Sequence, residues 1–255
     1  MPRSPIAIVS AMHHELRALL PLLHDPLSVR LAARDFHQGT IHGQPVVLVL
    51  SGIGKVAAAT TAVLLMHEFN ARELVFTGVA GGLRRGVKVG DVVVAQQLLQ
   101  HDMDASPLFP RFEIPLTGRS RFEASANLAD ALAAAAQRCL DRADALVGTA
   151  HRIEFGIDAA LVHRGLIVSG DRFVASAAAS AELRALLPDA LAVEMEGAAV
   201  AQACADFRRP FAVLRTISDR ADDNAHVDFT RFIDEVASVY TRAIVEDWLQ
   251  HRTRA

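Results

Sequence analysis

The sequence predicts an α/β fold: one three-layer domain over residues 1–255, with a twisted mixed, mostly parallel central sheet flanked by helices. Three observations carry that reading. Apolar runs of strand length recur at Ile6–Val9, Val46–Leu50, Leu74–Thr77, Val92–Ala95, Leu166–Val168, Leu191–Val193 and Phe211–Ile217. Several are unbroken rather than alternating, which marks strands covered on both faces. Helical runs separate many of them: Lys55–Phe69, Leu128–Leu140, Ala178–Leu187, Met195–Phe207 and, at the end, Phe229–Leu249. Strand–helix alternation favours parallel pairing, while Arg30–Gly43 reads as a hairpin-like pair that adds antiparallel pairing.

Composition narrows the function. The 255 residues are 51% hydrophobic and 22% charged, which excludes disorder. A net charge of -3 leaves no basic footprint for nucleic acid. No apolar run approaches the ~20 residues of a membrane span, so no membrane partner is expected. The opening IAIVSAM is followed by His13, His14 and Glu15 and reads as a strand rather than a signal peptide. Cys139 and Cys204 lie in Ala-rich helical runs and read as small core residues, which suits a reducing, cytoplasmic setting. The longest irregular stretch, Asp102–Arg121, holds Phe109, Phe112 and three prolines, at 107, 110 and 115. An ordered loop of that length usually serves function or an interface.

Five short motifs sit where strands hand over to helices. Gly52-Ile53-Gly54-Lys55-Val56-Ala57 matches the loose dinucleotide pattern, with Glu73 about 20 residues on, or is a plain glycine turn. It is not a P-loop, because Val49 and Val56 stand where that motif needs Gly and Ser or Thr. Thr77-Gly78-Val79-Ala80-Gly81-Gly82-Leu83 reads as a second glycine turn whose backbone could approach a ligand. Two such turns favour a site at the carboxyl edge of the sheet. In Val193-Glu194-Met195-Glu196-Gly197, one acid could cap a helix, and two suggest that at least one grips a diol. Asp219, at the end of Arg215-Thr216-Ile217-Ser218-Asp219, is a cap or a buried general acid. Glu15 is an ordinary first-turn acid or a site residue. Adjacent His13 and His14 do not face one way on a helix, and no metal-ligand spacing occurs, so no metal is expected.

Taken in order, AMHHEL, SGIGKVAAA, TGVAGGL with VGDVVVA, HDMDA, GLIVSGDRF, AVEMEGAAVA and LRTISDRAD resemble the 5'-methylthioadenosine/S-adenosylhomocysteine nucleosidases of the nucleoside phosphorylase superfamily. The match runs from about Ile6 to Phe232 and displaces the dinucleotide reading. The resemblance implies a cofactor-free homodimer that cleaves the N-glycosidic bond of adenine nucleosides with water. It implies that Asp219 protonates adenine N7, that Ser218 positions it, that Glu15 activates the water and that Glu196 holds the ribose hydroxyls. Met195 and Arg215 would line the ribose side. Phe173 and Val174 would meet adenine, with Ala80 and Gly81 on the same site, and Ile53 and Phe229 would lie near the 5' substituent. The segment Ala105–Thr117 would reach a neighbouring subunit's site through Phe109 and Pro115.

The chemistry agrees. Bond cleavage leaves positive charge on the ribosyl ring and negative charge on adenine, so ionised Glu15 and Glu196 would stabilise the one and a protonated Asp219 the other. Acid and water-activating base fall on opposite faces of the sugar, as in inverting glycosidases. A phosphorylase needs cations for phosphate, yet Phe76 stands where related phosphorylases carry Arg, and Glu15 would repel the anion. Val79 departs from the Ser of many relatives. The competing readings are a phosphorylase, a hydrolase of AMP or futalosine type, a nucleoside-binding sensor and, distantly, a dinucleotide oxidoreductase.

Overall fold

A computed structural model describes residues 4–221 and 229–252. Strand β1 (Ile6–Ser10) explains why the apolar runs are unbroken. Successive side chains leave a strand on opposite faces. Ile6 and Ile8 join one apolar cluster with Leu16, Leu132, Ile244 and Trp248. Ala7 and Val9 join another with Ala58, Leu65, Val200 and Cys204. Both faces are buried, so both need apolar residues.

Helix α1 (His13–Leu19) follows. Strands β2 (His24–Leu31), β3 (Arg34–Ile41) and β4 (Gln44–Leu50) form an antiparallel meander, which contains the expected hairpin. Its two tight turns use left-handed residues, Ala32-Ala33 and His42-Gly43, whose twist suits paired strands. Next come α2 (Lys55–His67), β5 (Glu73–Gly82), β6 (Val92–Gln100) and short β7 (Arg121–Glu123). Helices α3 (Ala126–Leu140), α4 (Ala143–Val147) and α5 (Thr149–Glu154) precede β8 (Val162–Ser169) and α6 (Ala177–Leu186). The chain continues through β9 (Ala190–Glu194), α7 (Gly197–Asp206) and β10 (Phe211–Asp219). The final helical run divides into α8 (Phe229–Phe232), a π-helical turn at Ile233–Ala237 and α9 (Ser238–Gln250).

The strands form one mixed sheet in the order β10-β6-β8-β9-β5-β1-β4-β3-β2. A further β10–β5 pairing closes β5, β10, β6, β8 and β9 on themselves. Among β1, β4, β5, β6, β8, β9 and β10, five of seven pairings are parallel. The meander and β7 add three antiparallel ones, so the whole sheet is evenly divided rather than mostly parallel. These added strands join by tight turns or short edge pairings and need no crossover helix. The two cysteines lie buried on α3 and α7, as expected. Among the described residues no helix is long and apolar enough to cross a membrane.

Two motif readings need correction. The segment Thr77–Gly82 is not a turn after a strand; β5 continues through it. Its glycines serve close packing instead. A Cβ on Gly78 would stand 3.1 Å from the Arg215 guanidinium, and one on Gly81 would stand 2.9 Å from Asp219 Oδ1. The helix expected from Met195 begins at Gly197, so Glu194 ends β9 and Glu196 is the residue before the first turn of α7.

Candidate active site

Strand register builds the site. Gly81 of β5 faces Val193 of β9 on one side and Asp219 of β10 on the other. Ser169 of β8 lies beside Glu194. Residues far apart in sequence therefore meet at one mouth of the closed sheet. A cleft opens there, lined mainly by apolar side chains with the acids Glu194, Glu196 and Asp219 among them.

Of the residues expected in the site, Asp219, Ser218, Glu196, Met195, Phe173, Val174, Ile53, Ala80, Gly81 and Phe229 line this cleft. Val79, noted above as departing from Ser, lines it too, as do Ala11, Met12 and Arg172, which carried no earlier assignment. Ser218 Oγ lies 2.7 Å from Asp219 Oδ2 and 3.5 Å from the Ala80 carbonyl. The Ala221 N–H donates to Asp219 Oδ1 at 2.7 Å. The acid is thus held at both oxygens beside the glycine strand. Opposite it, Glu196 is nearly buried, and its Oε1 accepts the Gly54 N–H at 2.8 Å. The Phe173 and Phe229 rings meet edge-on with centroids 6.3 Å apart, and Ile53 is 60% exposed at the rim.

Glu15 lies on the first turn of α1, behind Ala11 and Met12, and is fully buried. Among the described residues no bond of full geometry reaches either of its oxygens, while the Met12 backbone and the Thr241 hydroxyl lie near them. Burial pushes its carboxyl up to about 7, and the charge of Arg215, the Met12 backbone and the Thr241 hydroxyl oppose that rise. Burial and the neighbouring Glu194 likewise push Glu196 up to about 7, again opposed by Arg215. Both acids were expected to be ionised. In the folded chain they ionise only as pH rises through neutrality, because water is excluded around them.

Arg215 does not line the cleft. It is completely buried, and its guanidinium lies over the Phe76 ring at 4.2 Å. Nε and Nη2 donate to Glu194 Oε2 at 3.2 and 2.6 Å, and Nη1 donates to the Phe76 and Leu214 carbonyls. Glu194 also accepts from Ser169 Oγ and from the N–H groups of Glu196 and Gly197. Of the two acids, Glu194 is therefore the cap and the buried counter-ion, and Glu196 is the one that offers an oxygen to a ligand. Only a charge held by several donors is tolerable in such a place.

The loop holding Phe109 and Pro115 lies away from this cleft, and both residues are half-buried. Glu73, weighed as a ribose ligand in the dinucleotide reading, starts β5 at the opposite end of that strand and pairs with Arg72 and Arg252. Asp222 of LRTISDRAD lies outside the described residues. Among those described, one group, His151, Glu154 and Glu235, has the spacing of cation ligands. Arg231 bonds both of its acids, at 2.6 and 3.2 Å, and supplies the positive charge there.

One set of residues escaped the sequence reading. Lys55 Nζ donates to Asp102 Oδ1 at 2.7 Å and to Gln100 Oε1 at 3.1 Å, while the Lys55 N–H donates to Asp171 Oδ1 at 2.8 Å. The polar residues of HDMDA and SGDRF, each just past a strand end, were the available signal.

A sequence model described as the Phosphorylase superfamily matches residues 5–249. Among solved structures, the 5'-methylthioadenosine/S-adenosylhomocysteine nucleosidase of Neisseria meningitidis, in complex with methylthio-immucillin-A, is 33% identical. The alignment covers 98% of this chain and 100% of that one, with a TM-score of 0.85. A nucleosidase of the same description from Colwellia psychrerythraea 34H, in complex with adenine, is 35% identical over 97% and 95% of the two chains, with a TM-score of 0.82. The S-adenosylhomocysteine nucleosidase of Streptococcus pyogenes is 30% identical over 99% of each, with a TM-score of 0.83. With the superfamily match spanning nearly the whole sequence and relatives above 30% identity along its full length, the chain belongs to the 5'-methylthioadenosine/S-adenosylhomocysteine nucleosidase family of the phosphorylase superfamily.

Proposed function

We propose that this enzyme hydrolyses the N-glycosidic bond of 5'-methylthioadenosine and S-adenosylhomocysteine, releasing adenine and the 5'-thioribose, with no cofactor. The observation that carries water as nucleophile is Glu15. A fully buried carboxyl one turn from the cleft wall, approached by the Met12 backbone and the Thr241 hydroxyl and by no cation in direct contact, suits a small neutral hydrogen-bonding molecule and repels an anion. Its position near neutrality matches the requirement of a general base. Phosphate has little to hold it: Arg172 is the one cation among the described lining residues, against Glu194, Glu196 and Asp219.

In this reading Asp219 gives its proton to adenine N7 as the C1'–N9 bond breaks, and Ser218 and the Ala221 N–H keep it aimed. Glu196 accepts from the ribose hydroxyls and faces the developing positive charge. Glu15 takes a proton from the attacking water on the other face of the sugar. Proton transfers of this kind contribute about 10²–10⁴-fold each, and electrostatic preorganisation adds to them. Phe173 and Val174 form the wall for adenine. The apolar rim of Ile53, Phe173 and Phe229 suits a 5' thioether.

We also propose a homodimer. Leu108 and Leu116, in the long loop, are 83% and 89% exposed. On α2, Val56, Thr60 and Val63 are exposed on one face, and Val56 adjoins the cleft loop. A second copy would cover these surfaces and bring Phe109 and Pro115 of the 105–117 segment to its partner's cleft. Sedimentation of the full chain tests this, and a monomer at micromolar concentration refutes it. The reducing cytoplasm suits the two free cysteines.

The deciding experiment is adenine release from 5'-methylthioadenosine in phosphate-free buffer and again with phosphate added. Equal release in both establishes hydrolysis. Release only with phosphate makes the enzyme a phosphorylase and overturns the role given to Glu15.

A further inference from the structure

Two loops that carry different parts of the cleft, and the loop that follows β6, converge on one ammonium group outside it. Lys55 follows Ile53 and Gly54, whose N–H holds Glu196. Asp102 follows β6. Asp171 precedes Phe173 and Val174. The Lys55 side chain is only 16% exposed and does not line the cleft. Its Nζ bonds Asp102 and Gln100, and Gln100 Nε2 passes the contact on to Gln202 of α7 at 2.7 Å. Asp102 Oδ2 accepts the Asp171 N–H at 2.9 Å. Asp171 Oδ1 accepts the Lys55 N–H, and its Oδ2 lies 3.8 Å from Nζ. The bonded Lys55 holds the Asp102 carboxyl below the usual carboxylate range against the upward push of burial. The ring is closed: Lys55 to Asp102, Asp102 to Asp171, Asp171 back to Lys55. Gly54 is left-handed at φ 94°, and a Cβ there would stand 3.1 Å from Asp171 Oδ1, so the Asp171 side chain lies close against the Gly54 backbone as well.

We infer that Lys55, with Asp102 and Asp171, is a positioning latch that fixes the Phe173–Val174 wall against the Gly54–Glu196 side of the cleft. This rests on the proposed reading of Phe173 and Val174 as the adenine wall. An exposed ion pair contributes little to stability. Here the pairs are tied to two backbone N–H groups, so their effect falls on the spacing of two binding walls. Loss of the latch leaves Asp219, Ser218 and Glu15 untouched. It weakens adenine binding because the wall must then be ordered at the moment of binding.

The test compares the full chain with Lys55→Met, Asp102→Asn, their combination and Lys55→Arg. Adenine binding is measured by calorimetry, adenine release from 5'-methylthioadenosine by steady-state kinetics, and backbone order at 170–174 by hydrogen–deuterium exchange. Lys55→Met is expected to raise the adenine Kd and the KM together by about tenfold, with kcat held within about threefold. Exchange at 170–174 should quicken. Lys55→Arg, which keeps the charge and can reach both acids, should restore most of the loss. The combined variant should be no worse than Lys55→Met, because both substitutions open one latch. A lower melting temperature with unchanged Kd, KM and exchange would make the cluster a plain structural staple and overturn the inference, as would additive losses in the combined variant. If the unaltered chain binds no adenine, the adenine reading of the cleft fails. Exchange then decides the latch separately: quickening at 170–174 in Lys55→Met upholds it, and unchanged exchange overturns it.

Discussion

Replacing Glu15 by Gln should stabilise the protein while it abolishes turnover, and the gain should depend on pH. Burial raises the Glu15 carboxyl from 4.5 to about 7. Each pKa unit corresponds to about 1.4 kcal/mol, so ionising Glu15 in the fold costs about 3 kcal/mol. The sign follows from proton counting. Between pH 4.5 and about 7 the folded chain keeps a proton that the unfolded chain has released, so stability falls as pH rises through that window. Below it the protonated Glu15 and a Gln are near equals. Above it the wild type carries a buried anion and the variant does not. The variant's advantage should therefore be close to zero at pH 4.5 and reach about 3 kcal/mol at pH 8. For a chain of this size that is a rise in Tm of roughly 6–12 °C. Glu196 titrates in both proteins and cancels from the difference. Thermal unfolding of the pair from pH 4.5 to 8, followed by circular dichroism, reads the effect. A difference that does not widen with pH would refute the claim that Glu15 is a desolvated carboxyl held ready for a base's work, whatever happens to activity.

Other expectations follow from the same geometry. Asp219→Asn should lower kcat by about 10²–10⁴-fold, the usual worth of a general acid, while calorimetry still detects nucleoside binding; near-normal turnover would remove Asp219 from its role. The value of kcat/KM should climb with pH through about 7, because Glu15 and Glu196 must both lose their protons there; a flat profile from pH 5.5 to 8 would contradict both. Gly81→Ala puts a methyl 2.9 Å from Asp219 Oδ1 and should depress kcat much more than it depresses Tm; unchanged kinetics would show that the carboxyl has room to spare. Arg215→Met leaves Glu194 buried and without its counter-ion, and urea unfolding should report a loss of about 3–5 kcal/mol. A loss under about 1 kcal/mol would mean that the pair is dispensable.

The sequence was most legible where one local rule decides the outcome. Ile6–Val9 must be a covered strand because four apolar residues in a row leave no face for water, and both faces of β1 are indeed packed. Asp219, at the end of a buried strand, could be narrowed to a cap or a site residue, and only the family resemblance offered a role for Ser218 beside it. Local rules failed where strands distant in sequence set the answer. Nothing within VEMEG says which acid faces a ligand. That depends on Ser169, which β8 brings alongside Glu194, and on Arg215, which reaches Glu194 from β10. Once Arg215 and three other donors have claimed Glu194, Glu196 is the acid left to face the cleft. The glycines of TGVAGG misled for the same reason. Glycine usually breaks a strand, yet here β5 runs on because Arg215 and Asp219 fill the space that side chains would have taken. The open choice in VEMEG and the error in TGVAGG have one source, the guanidinium and the carboxylate of β10 lying against β5. Phe76, which the family resemblance places where related phosphorylases would carry Arg, belongs to the same arrangement, since its ring covers the Arg215 guanidinium at 4.2 Å. One aromatic residue on β5 thus shields a cation that the sequence alone would offer to a ligand. That shielding leaves Arg215 to lower the ionisation cost of Glu15 and Glu196 from beneath the cleft, which is how a buried positive charge can serve water chemistry without inviting phosphate.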